Sequence, residues 1–257
     1  MATASRWVFL RGLAREARHW EHFPEDFHAF HPDAEIVALD LPGAGIRHAE
    51  RAPGSIDELM EACRSQVDLS AGPVYLLGLS LGGMACAQWA CRHPEEVAGA
   101  VLVNTSMRPF NGMHQRLRPR HVPAITRVVI DNDLSRREAR ILSLTSREGA
   151  NREELVARWA QFARERPMSR GTMMRQLWAA ARYRAPRRAP KVPLLVLASA
   201  ADRLVDPRCS RAIARAWNAP MAVHPTAGHD LTLDDGPWVA AQVRKWLASS
   251  PRHGSTA

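Results

Sequence analysis

The stretch Val74-Tyr-Leu-Leu-Gly-Leu-Ser-Leu-Gly-Gly83 decides the fold, because an apolar strand runs there directly into a turn of the form G-x-S-x-G. Small apolar residues follow at 84–91 and predict a helix. Such a tight turn strains the backbone of its central residue, Ser80, and lifts that side chain above the edge of the sheet. Glycine is needed at Gly78 and Gly82, since a Cβ atom there would collide with a neighbouring strand or helix. The alternative is a glycine-rich turn with an incidental serine.

Further strands surround this segment. Short apolar runs predict strands at 6–10, 35–40, 97–104, 193–198 and 221–224 in addition to 74–77. Helices are predicted at 207–217 and 237–247, and another from Ser55 to about Val67, where Ser55 and Glu58 have the spacing of a capping box. Strands that alternate with helices are typical of βαβ units. The sequence therefore predicts an α/β protein with a mostly parallel six-stranded sheet and helices on both faces.

Residues 107–190 break this alternation and are predicted to form an all-helical insertion between the fourth and fifth strands. Their apolar side chains share helical faces: Leu155, Trp159 and Phe162 in one segment, and Met174, Leu177, Trp178 and Ala181 in another. We accordingly divide the chain into a core formed by 1–106 and 191–248, the inserted segment 107–190 and a flexible tail at 249–257.

The insertion also carries the excess charge of the chain. The 257 residues have a formal net charge of +9, with 35 basic and 26 acidic side chains. Segment 107–190 holds 19 arginines against seven acidic residues, a balance of +12, whereas the rest of the chain sums to −3. A local excess of this kind indicates an anionic partner, because it steers encounters more than it affects the fold. A solvated face, or codon usage that favours arginine, would produce the same pattern.

Composition excludes several classes of protein. With 46% apolar and 24% charged residues, the chain is globular rather than disordered or collagen-like. No apolar run approaches the roughly 18 residues of a membrane span, and the N-terminus lacks the pattern of a secretion signal. The four cysteines show no metal-type spacing. We therefore expect a soluble, cytoplasmic protein without metal or cofactor.

The candidate nucleophile needs a base, because a serine hydroxyl is a weak nucleophile by itself. Most of the 11 histidines lie in polar stretches and are interpreted as solvated or capping. His229 differs, since it follows the last strand in the loop Thr226-Ala-Gly-His-Asp230, at the carboxyl edge where open α/β sheets place their sites. His224, at the end of that strand, is the second choice.

A carboxylate is needed to orient the imidazole and to stabilise its charged form. Asp202 follows the fifth predicted strand by a short loop and is the candidate. Asp206 competes, although Pro207 after it indicates that Asp206 caps the next helix. The order along the chain is therefore Ser80, Asp202, His229, which is nucleophile, then acid, then base.

These features together resemble the α/β-hydrolase family over nearly the whole chain. The matching motifs are the turn Arg11-Gly-Leu13, the loop Asp40-Leu-Pro-Gly-Ala-Gly45, the elbow at 78–82, the Asp202 loop and the Gly228-His229 loop. The resemblance implies that Ser80 attacks a carbonyl, that His229 takes its proton and that Asp202 holds His229. It also implies an oxyanion hole formed by the backbone N–H groups of Leu13 and Leu81.

Two departures from the family pattern carry expectations of their own. Many relatives have histidine where this chain has Arg11; the hole uses main-chain donors, so we expect function to be retained and the arginine side chain to reach an anionic group. The chain also starts at the strand equivalent to the family's third, so the usual leading hairpin is expected to be absent. A serine nucleophile disfavours dehalogenase chemistry, whereas carbon–carbon bond hydrolysis and perhydrolysis use the same triad and stay open.

The resemblance further implies that segment 107–190 is a helical, arginine-rich cap over the site. Candidates for an apolar acyl pocket are Trp159, Phe162, Met173, Met174 and Trp178, unless they only pack the cap against the core. A basic cap over a serine esterase is similar to the pimeloyl-[acyl-carrier-protein] methyl ester esterases, in which cap arginines meet an acidic carrier protein.

Three functions are consistent with these features. The leading prediction is a serine hydrolase, an EC 3.1.1-type carboxylesterase that cleaves carboxylic esters through an acyl-enzyme. The alternative is an acyl-carrier-protein methyl ester esterase or thioesterase that recruits an acidic acyl carrier protein through the basic cap. A non-catalytic scaffold that binds nucleic acid is third, but the cap shows no nucleic-acid motif and few aromatics among its arginines. We expect a small-molecule or carrier-linked acyl ester as the partner, and neither nucleic acid nor membrane.

Overall fold

A six-stranded parallel sheet forms the centre of the protein. The structure, a computed structural model, describes residues 5–147 and 152–249. In chain order the strands are β1 (Ser5–Leu10), β2 (Ala34–Leu39), β3 (Val74–Leu79), β4 (Val97–Val103), β5 (Leu194–Ser199) and β6 (Met221–His224). They lie side by side in the order β2-β1-β3-β4-β5-β6, and each neighbouring pair is parallel. The predicted six-stranded α/β sheet is confirmed.

Helices fill the connections between the strands. They are α1 (Phe23–Phe30), α2 (Ile56–Arg64), α3 (Leu81–Arg92), α4 (Met113–Arg116), α5 (Val122–Ile130), α6 (Leu134–Thr145), α7 (Arg152–Glu165), α8 (Arg170–Arg182), α9 (Arg208–Ala216), α10 (Leu231–Asp234) and α11 (Gly236–Ser249). Every crossover from one strand to the next passes through at least one of them, as parallel pairing requires.

Two apolar cores lie on opposite faces of the sheet, because successive strand residues point to opposite sides. Val8 and Leu10 pack with α2, α3 and α9 in one core, whereas Trp7 and Phe9 pack with α1 and α11 in the other. Strand β5 is buried along its whole length. Strands covered on both faces form continuous apolar runs, which is why the sequence was sufficient to locate the inner strands. The edge strands β2 and β6 are partly exposed but are still mostly apolar.

Helix α1 is absent from the sequence prediction. Its segment contains histidine and acidic residues, and its buried side chains are Phe23 and Phe27. Phe23, Phe27 and Phe30 do have helical spacing, but the helix has only eight residues, too few for a long periodic pattern. The helix predicted after Ser55 is present: the Ser55 hydroxyl oxygen accepts the N–H of Glu58 at 3.2 Å, although the helix ends at Arg64.

In the described part of the chain, five helices, α4 to α8, lie between β4 and β5. Leu142 of α6 forms a small core with Leu155 and Trp159 of α7, while Ala179 of α8 joins the larger core beside α2 and α3. None of the helices in the described ranges has the length and hydropathy of a membrane span. The tail predicted at 249–257 lies outside the described residues from position 250 onward.

Candidate active site

Ser80 lies at the turn between β3 and α3 with a strained backbone. Its φ of 56° is in the left-handed region that residues other than glycine rarely adopt, and its ψ is −112°. The Ser80 N–H donates to the Val103 carbonyl at 2.9 Å, and the Ser80 carbonyl accepts the Thr105 hydroxyl at 2.7 Å. Both partners lie at the end of β4 or just beyond it, so the neighbouring strand holds the strained residue in place.

Close approach of α3 to the sheet explains the glycines on either side of the serine. A Cβ atom at Gly82 would lie 2.1 Å from the Leu10 carbonyl oxygen, and one at Gly78 would lie 2.5 Å from the backbone of Gly82. Movement of a flexible side chain cannot relieve either clash, because the atoms concerned belong to the backbone. The steric role predicted for both glycines agrees with this geometry.

His229 and Asp202 form a buried hydrogen-bonded pair. The imidazole Nδ1 lies 2.7 Å from Asp202 Oδ2. The other carboxylate oxygen of Asp202 accepts the backbone N–H groups of Leu204 and Val205 at 2.8 and 3.0 Å. His229 is 6% exposed and Asp202 is 3% exposed. A carboxylate held by two backbone donors fixes the orientation of the ring and leaves Nε2 on its far side.

Opposing effects set the pKa of His229. Burial lowers this pKa, because the charged imidazolium is poorly solvated in the interior. The charge of Asp202 and its hydrogen bond, with the charge of Asp230, raise it. The carboxylates outweigh burial, so the pKa of His229 lies above the ordinary value of 6.5. The imidazole is therefore a base that accepts a proton readily near neutral pH.

Asn104 is a site residue that the sequence analysis missed. It follows β4 with a φ of 46° and is 2% exposed. Its Nδ2 donates to the His229 carbonyl at 2.8 Å and to Ser199 Oγ at 2.9 Å, while its Oδ1 accepts the Ser199 N–H at 2.8 Å. One amide thus ties the end of β5 to the loop that carries the imidazole. The signal in the sequence is a polar residue directly after an apolar strand.

A cavity of about 210 Å³ has both Ser80 and His229 on its wall. Most of the remaining wall is apolar and is shared between the core and the inserted helices. The apolar residues include Leu13, Leu81, Met84 and Val205 from the core, and Val128, Ile141, Met173 and Leu177 from α5, α6 and α8. An apolar space beside a nucleophile suits an acyl chain.

The acyl-pocket prediction is wrong for Met174 and Trp178. These side chains are 51% and 58% exposed. Helix α8 instead presents Met173 and Leu177, one position earlier on each turn, to the cavity. Met173 was therefore the one member of the predicted set that lines it. An apolar stripe along a helix shows its period but not which edge of the stripe is buried.

Trp159 and Phe162 of α7 do not line the cavity either, which corrects the other half of the prediction. Trp159 is fully buried in the small core of α6 and α7 and donates its indole N–H to Glu21 at 2.6 Å. The Phe162 ring centroid lies 4.2 Å from the guanidinium carbon of Arg18. Both rings pack the insertion against the segment that follows β1, the packing role that the sequence left open for them.

The second choices for base and acid have other partners. His224 Nε2 lies 3.1 Å from Asp235 Oδ2, and its Nδ1 accepts the Ala227 N–H at 2.9 Å. Asp206 accepts the backbone N–H of Arg208 at 2.9 Å where α9 begins. Both side chains stabilise local turns. The cap position of α9 is Pro207, so Asp206 bonds the first residue of the helix without occupying the cap position predicted for it.

Leu13 and Leu81, the predicted oxyanion-hole residues, both line the cavity together with Ser80. Leu81 is the first residue of α3, where backbone N–H groups have no partner inside the helix. A residue of the inserted segment fixes the loop that contains Leu13: the Ala14 N–H donates to Oε1 of the fully buried Gln176 at 3.0 Å. The role of the two leucine N–H groups as donors stays a prediction.

Arg11 does reach an anionic group, but the group is internal. Its Nη1 lies 3.0 Å from Asp230 Oδ1 and its Nη2 lies 2.5 Å from Asp230 Oδ2, with the Arg11 residue 1% exposed. Burial raises the pKa of the Asp230 carboxyl, but the charge and hydrogen bonds of Arg11 outweigh it and hold this pKa below its ordinary value. Because Asp230 follows His229, the ion pair anchors the loop that carries His229.

One group in the described ranges brings metal-ligand atoms together. His93, Glu95 and Glu96 have such atoms within 4.8 Å of one another. Glu96 is already paired with Arg64, its Oε1 lying 2.5 Å from Arg64 Nη2. The group lies at the 3-10 turn before β4, where His93 Nε2 lies 3.0 Å from Glu61 Oε1 of α2.

A single family match covers the sheet and the site. The Alpha/beta hydrolase family matches residues 7–242. The chain belongs to this family. The predicted family and fold are thereby confirmed.

Curated relatives of this α/β-hydrolase match only part of it. The chain is 33% identical over 100 residues to the biotin biosynthesis bifunctional protein BioHC of Teredinibacter turnerae, over 38% of this chain and 17% of that protein. It is 33% identical over 79 residues to the pimeloyl-[acyl-carrier protein] methyl ester esterase of Shewanella woodyi, over 31% and 29% of the two chains. The chain therefore spans less than a third of the length of either relative.

Solved structures match over nearly the whole chain. The enol-lactonase from Burkholderia xenovorans superposes with a TM-score of 0.77, covering 96% of this chain and 92% of that one. Its sequence is 20% identical, so the likeness shows the shared fold alone.

Replacing Arg11 by methionine is expected to destabilise the α/β-hydrolase by about 3–5 kcal/mol at neutral pH, because the Asp230 charge is then buried without a partner. The loss of unfolding free energy becomes smaller as the pH falls. The reason is that the buried Asp230 carboxyl, left without its partner in the variant, has a raised pKa and takes up a proton. In the wild type the depressed pKa of Asp230 keeps the pair intact until the pH drops below the ordinary range of an aspartate. Urea unfolding at several pH values measures both effects.

The double variant Arg11→Met/Asp230→Leu removes both charges and is expected to recover most of the lost stability. If the single and the double variant lose the same free energy of unfolding, the ion pair is not the cause.

Proposed function

We propose that this α/β-hydrolase is a serine hydrolase that cleaves carboxylic esters through an acyl-enzyme, with Ser80, His229 and Asp202 as its catalytic triad. One observation supports the proposal: His229, whose Nδ1 lies 2.7 Å from the buried Asp202 carboxylate, lines the same cavity as the strained serine. A nucleophile, a base and an orienting carboxylate around one apolar space meet the requirements of acyl transfer.

In the first half-reaction Ser80 Oγ attacks the ester carbonyl carbon, and His229 Nε2 takes the hydroxyl proton. The backbone N–H groups of Leu13 and Leu81 stabilise the negative charge on the carbonyl oxygen, and the loss of one such donor costs roughly 3 kcal/mol. The carbon–oxygen bond to the alcohol then breaks, and His229 returns the proton to the leaving alcohol.

In the second half-reaction water gives a proton to His229, and its oxygen attacks the acyl carbonyl. The bond to Ser80 Oγ breaks, the acid leaves and His229 returns the proton to the serine. Asp202 stays ionised throughout and stabilises the imidazolium formed in each half.

The inserted segment 107–190 acts in this proposal as a cap on a core made of 1–106 and 191–248. Two contacts support the cap. Helices α5, α6 and α8 contribute apolar side chains to the cavity wall, and Gln176 of α8 holds the loop that carries Leu13. A cap built in this way keeps bulk water from the acyl chain.

Substitution of the nucleophile tests the proposal. Ser80→Ala is expected to abolish turnover of short p-nitrophenyl esters and to prevent labelling by a serine-directed phosphonate, because no other group forms the acyl-enzyme. Ser106→Ala, which changes a second serine on the cavity wall, is the matched control and is expected to retain the label. Full activity or full labelling in Ser80→Ala would overturn the assignment.

The pH dependence of kcat/KM reports the base. Only neutral His229 accepts the serine proton, so activity is expected to fall as the pH drops through a midpoint above the ordinary 6.5. Asp202→Asn removes the larger of the two charges that raise the pKa of His229, so that burial, which lowers this pKa, gains weight against the remaining charge of Asp230. The variant is expected to lose about 10⁴-fold in kcat and to move the midpoint to lower pH. A midpoint unchanged in Asp202→Asn contradicts the coupling of the two side chains.

An acyl-carrier-protein methyl ester esterase or thioesterase is the second candidate, and the surface charge of the cap favours it. Exposed arginines of the cap include Arg120, Arg136, Arg182, Arg184, Arg187 and Arg188. Among these, within the described residues, Arg136 alone has a carboxylate partner. An uncompensated basic face attracts an acidic protein. The relative named for a carrier-linked methyl ester supports the same candidate.

Charge reversal on the cap distinguishes the second candidate from the first. Arg187→Glu is expected to lower kcat/KM on a carrier-linked methyl ester several-fold at low salt, with the difference shrinking as salt screens the attraction. Turnover of p-nitrophenyl esters is expected to stay unchanged. Lys245→Glu is the control, because it reverses a charge at an exposed position of α11, outside the cap. Salt-independent rates on the carrier-linked ester would exclude recruitment through the cap.

A further inference from the structure

Three arginines line the cavity, and two of them pair with buried carboxylates. Arg11 pairs with Asp230, as described above. Arg15 Nη1 lies 2.6 Å from Oε2 of Glu138, a residue of α6 that is 2% exposed. Both arginines therefore have an anionic partner within the protein, although Glu138 is shared, since Arg137 Nε lies 3.4 Å from its Oε1.

Arg116 is the third guanidinium and differs from the other two. It is the last residue of α4 and is 7% exposed. Its Nη1 donates to the Ala181 carbonyl at 3.1 Å and its Nη2 to the Ala180 carbonyl at 2.5 Å, both near the C-terminal end of α8. Within the ranges 5–147 and 152–249, no carboxylate forms an ion pair with it, in contrast to Arg11 and Arg15.

The donors of Arg116 are incompletely used. A guanidinium has five N–H groups. Two are taken by the carbonyls of α8, and a third is directed to Met113 Sδ at 3.7 Å, which is a weak acceptor. The Nε–H is buried and has no hydrogen-bond partner among the described atoms. The negative end of the α8 dipole offsets part of the charge, but roughly half an elementary charge cannot balance a full one.

Burial of such a charge is costly. It lowers the pKa of the Arg116 guanidinium from its ordinary value, because the interior solvates the charged form poorly. Arginine nevertheless stays protonated at neutral pH. An unpaired buried charge with a free donor is stabilised when a ligand supplies the missing anion.

We propose that the cavity takes an ester that carries a second, ionised carboxylate, and that Arg116 is the specificity-determining residue that pairs with it. This inference rests on the proposed ester hydrolysis and names its substrate class. A buried guanidinium that no carboxylate of the described residues pairs with calls for an anion, and its unused N–H groups match a carboxylate. The rest of the wall is mostly apolar, which suits the carbon chain between the ester and the carboxylate.

Isosteric substrates test the proposal on the unmodified enzyme. Monomethyl esters of the dicarboxylic acids from glutaric to suberic acid are compared with the matching ester-amides, in which a carboxamide replaces the carboxylate. The wild type is expected to favour the best carboxylate over its amide by about tenfold or more in kcat/KM. A second series places the charge on the alcohol side: acetyl esters of hydroxy acids are compared with acetyl esters of the matching hydroxy amides. The two series together identify whether the acid side or the alcohol side of the preferred ester carries the carboxylate.

Arg116→Met is expected to lower kcat/KM for the preferred carboxylate by about ten- to a hundredfold while changing the amide by less than about threefold. Arg182→Met, an exposed cap arginine that stacks on Trp178, is the control and is expected to keep the wild-type preference. Equal turnover of carboxylate and amide by the wild type, on both the acid and the alcohol side, overturns the inference whether or not Arg116→Met folds.

Failure of the inference and failure of the proposed function give different results. If Ser80→Ala abolishes hydrolysis but the wild type turns over carboxylate and amide substrates equally, the proposed esterase function is supported and the carboxylate site is excluded. If no ester is hydrolysed, calorimetric titration with glutarate, adipate and suberate decides. Binding that Arg116→Met weakens at least about tenfold supports the carboxylate site, and binding that is absent or unaffected by the variant excludes it.

Discussion

The close backbone contact between α3 and the sheet is the constraint on which the rest of the site depends. The two elbow glycines, Gly78 and Gly82, let α3 begin in close contact with β1. The turn from β3 to α3 is then so tight that Ser80 adopts a strained backbone conformation. The strained serine then stands at the carboxyl edge of a parallel sheet, where the loops of all its strands emerge. Leu13, Asn104, Asp202 and His229 each lie on such a loop, after β1, β4, β5 and β6. A cavity wall made of residues remote in sequence is a direct consequence of this topology.

Buried charges are the second organising feature of the structure, and they occur with three kinds of hydrogen-bond or ion-pair partner. The imidazole of His229 is held by a carboxylate that backbone N–H groups keep in place, so its pKa is raised in spite of burial. Arg11 is balanced by a carboxylate directly after that histidine, which couples the stability of the loop to an ion pair. Arg116 has helix carbonyls but no ionised partner among the described residues. Each arrangement supplies polar or charged partners, because a charge in a poorly solvating interior is energetically costly without them.

Sequence reasoning located those parts of the site that depend on local pattern. The elbow could be recognised because strand, glycines and serine are contiguous, and Asp202 and His229 because each follows an apolar strand by a short loop. The acyl pocket could not be predicted in the same way: helical periodicity identified an apolar stripe around Met174 but not the edge of it that faces the cavity. Asn104 was missed because its hydrogen bonds join positions 95 and 125 residues apart, a pairing that no local pattern indicates.

The sequence by itself determined the succession of the six strands, the chain order of the candidate triad and the position of the excess positive charge. Each of these depends on residue types over short stretches, so periodicity and spacing are enough. Only the tertiary structure decided which arginines of the basic segment are solvated and which are enclosed: Arg187 is exposed, whereas Arg116 is buried on the cavity wall. The physical reason is that solvation and charge pairing depend on distances in space, which the fold sets and the spacing along the chain does not.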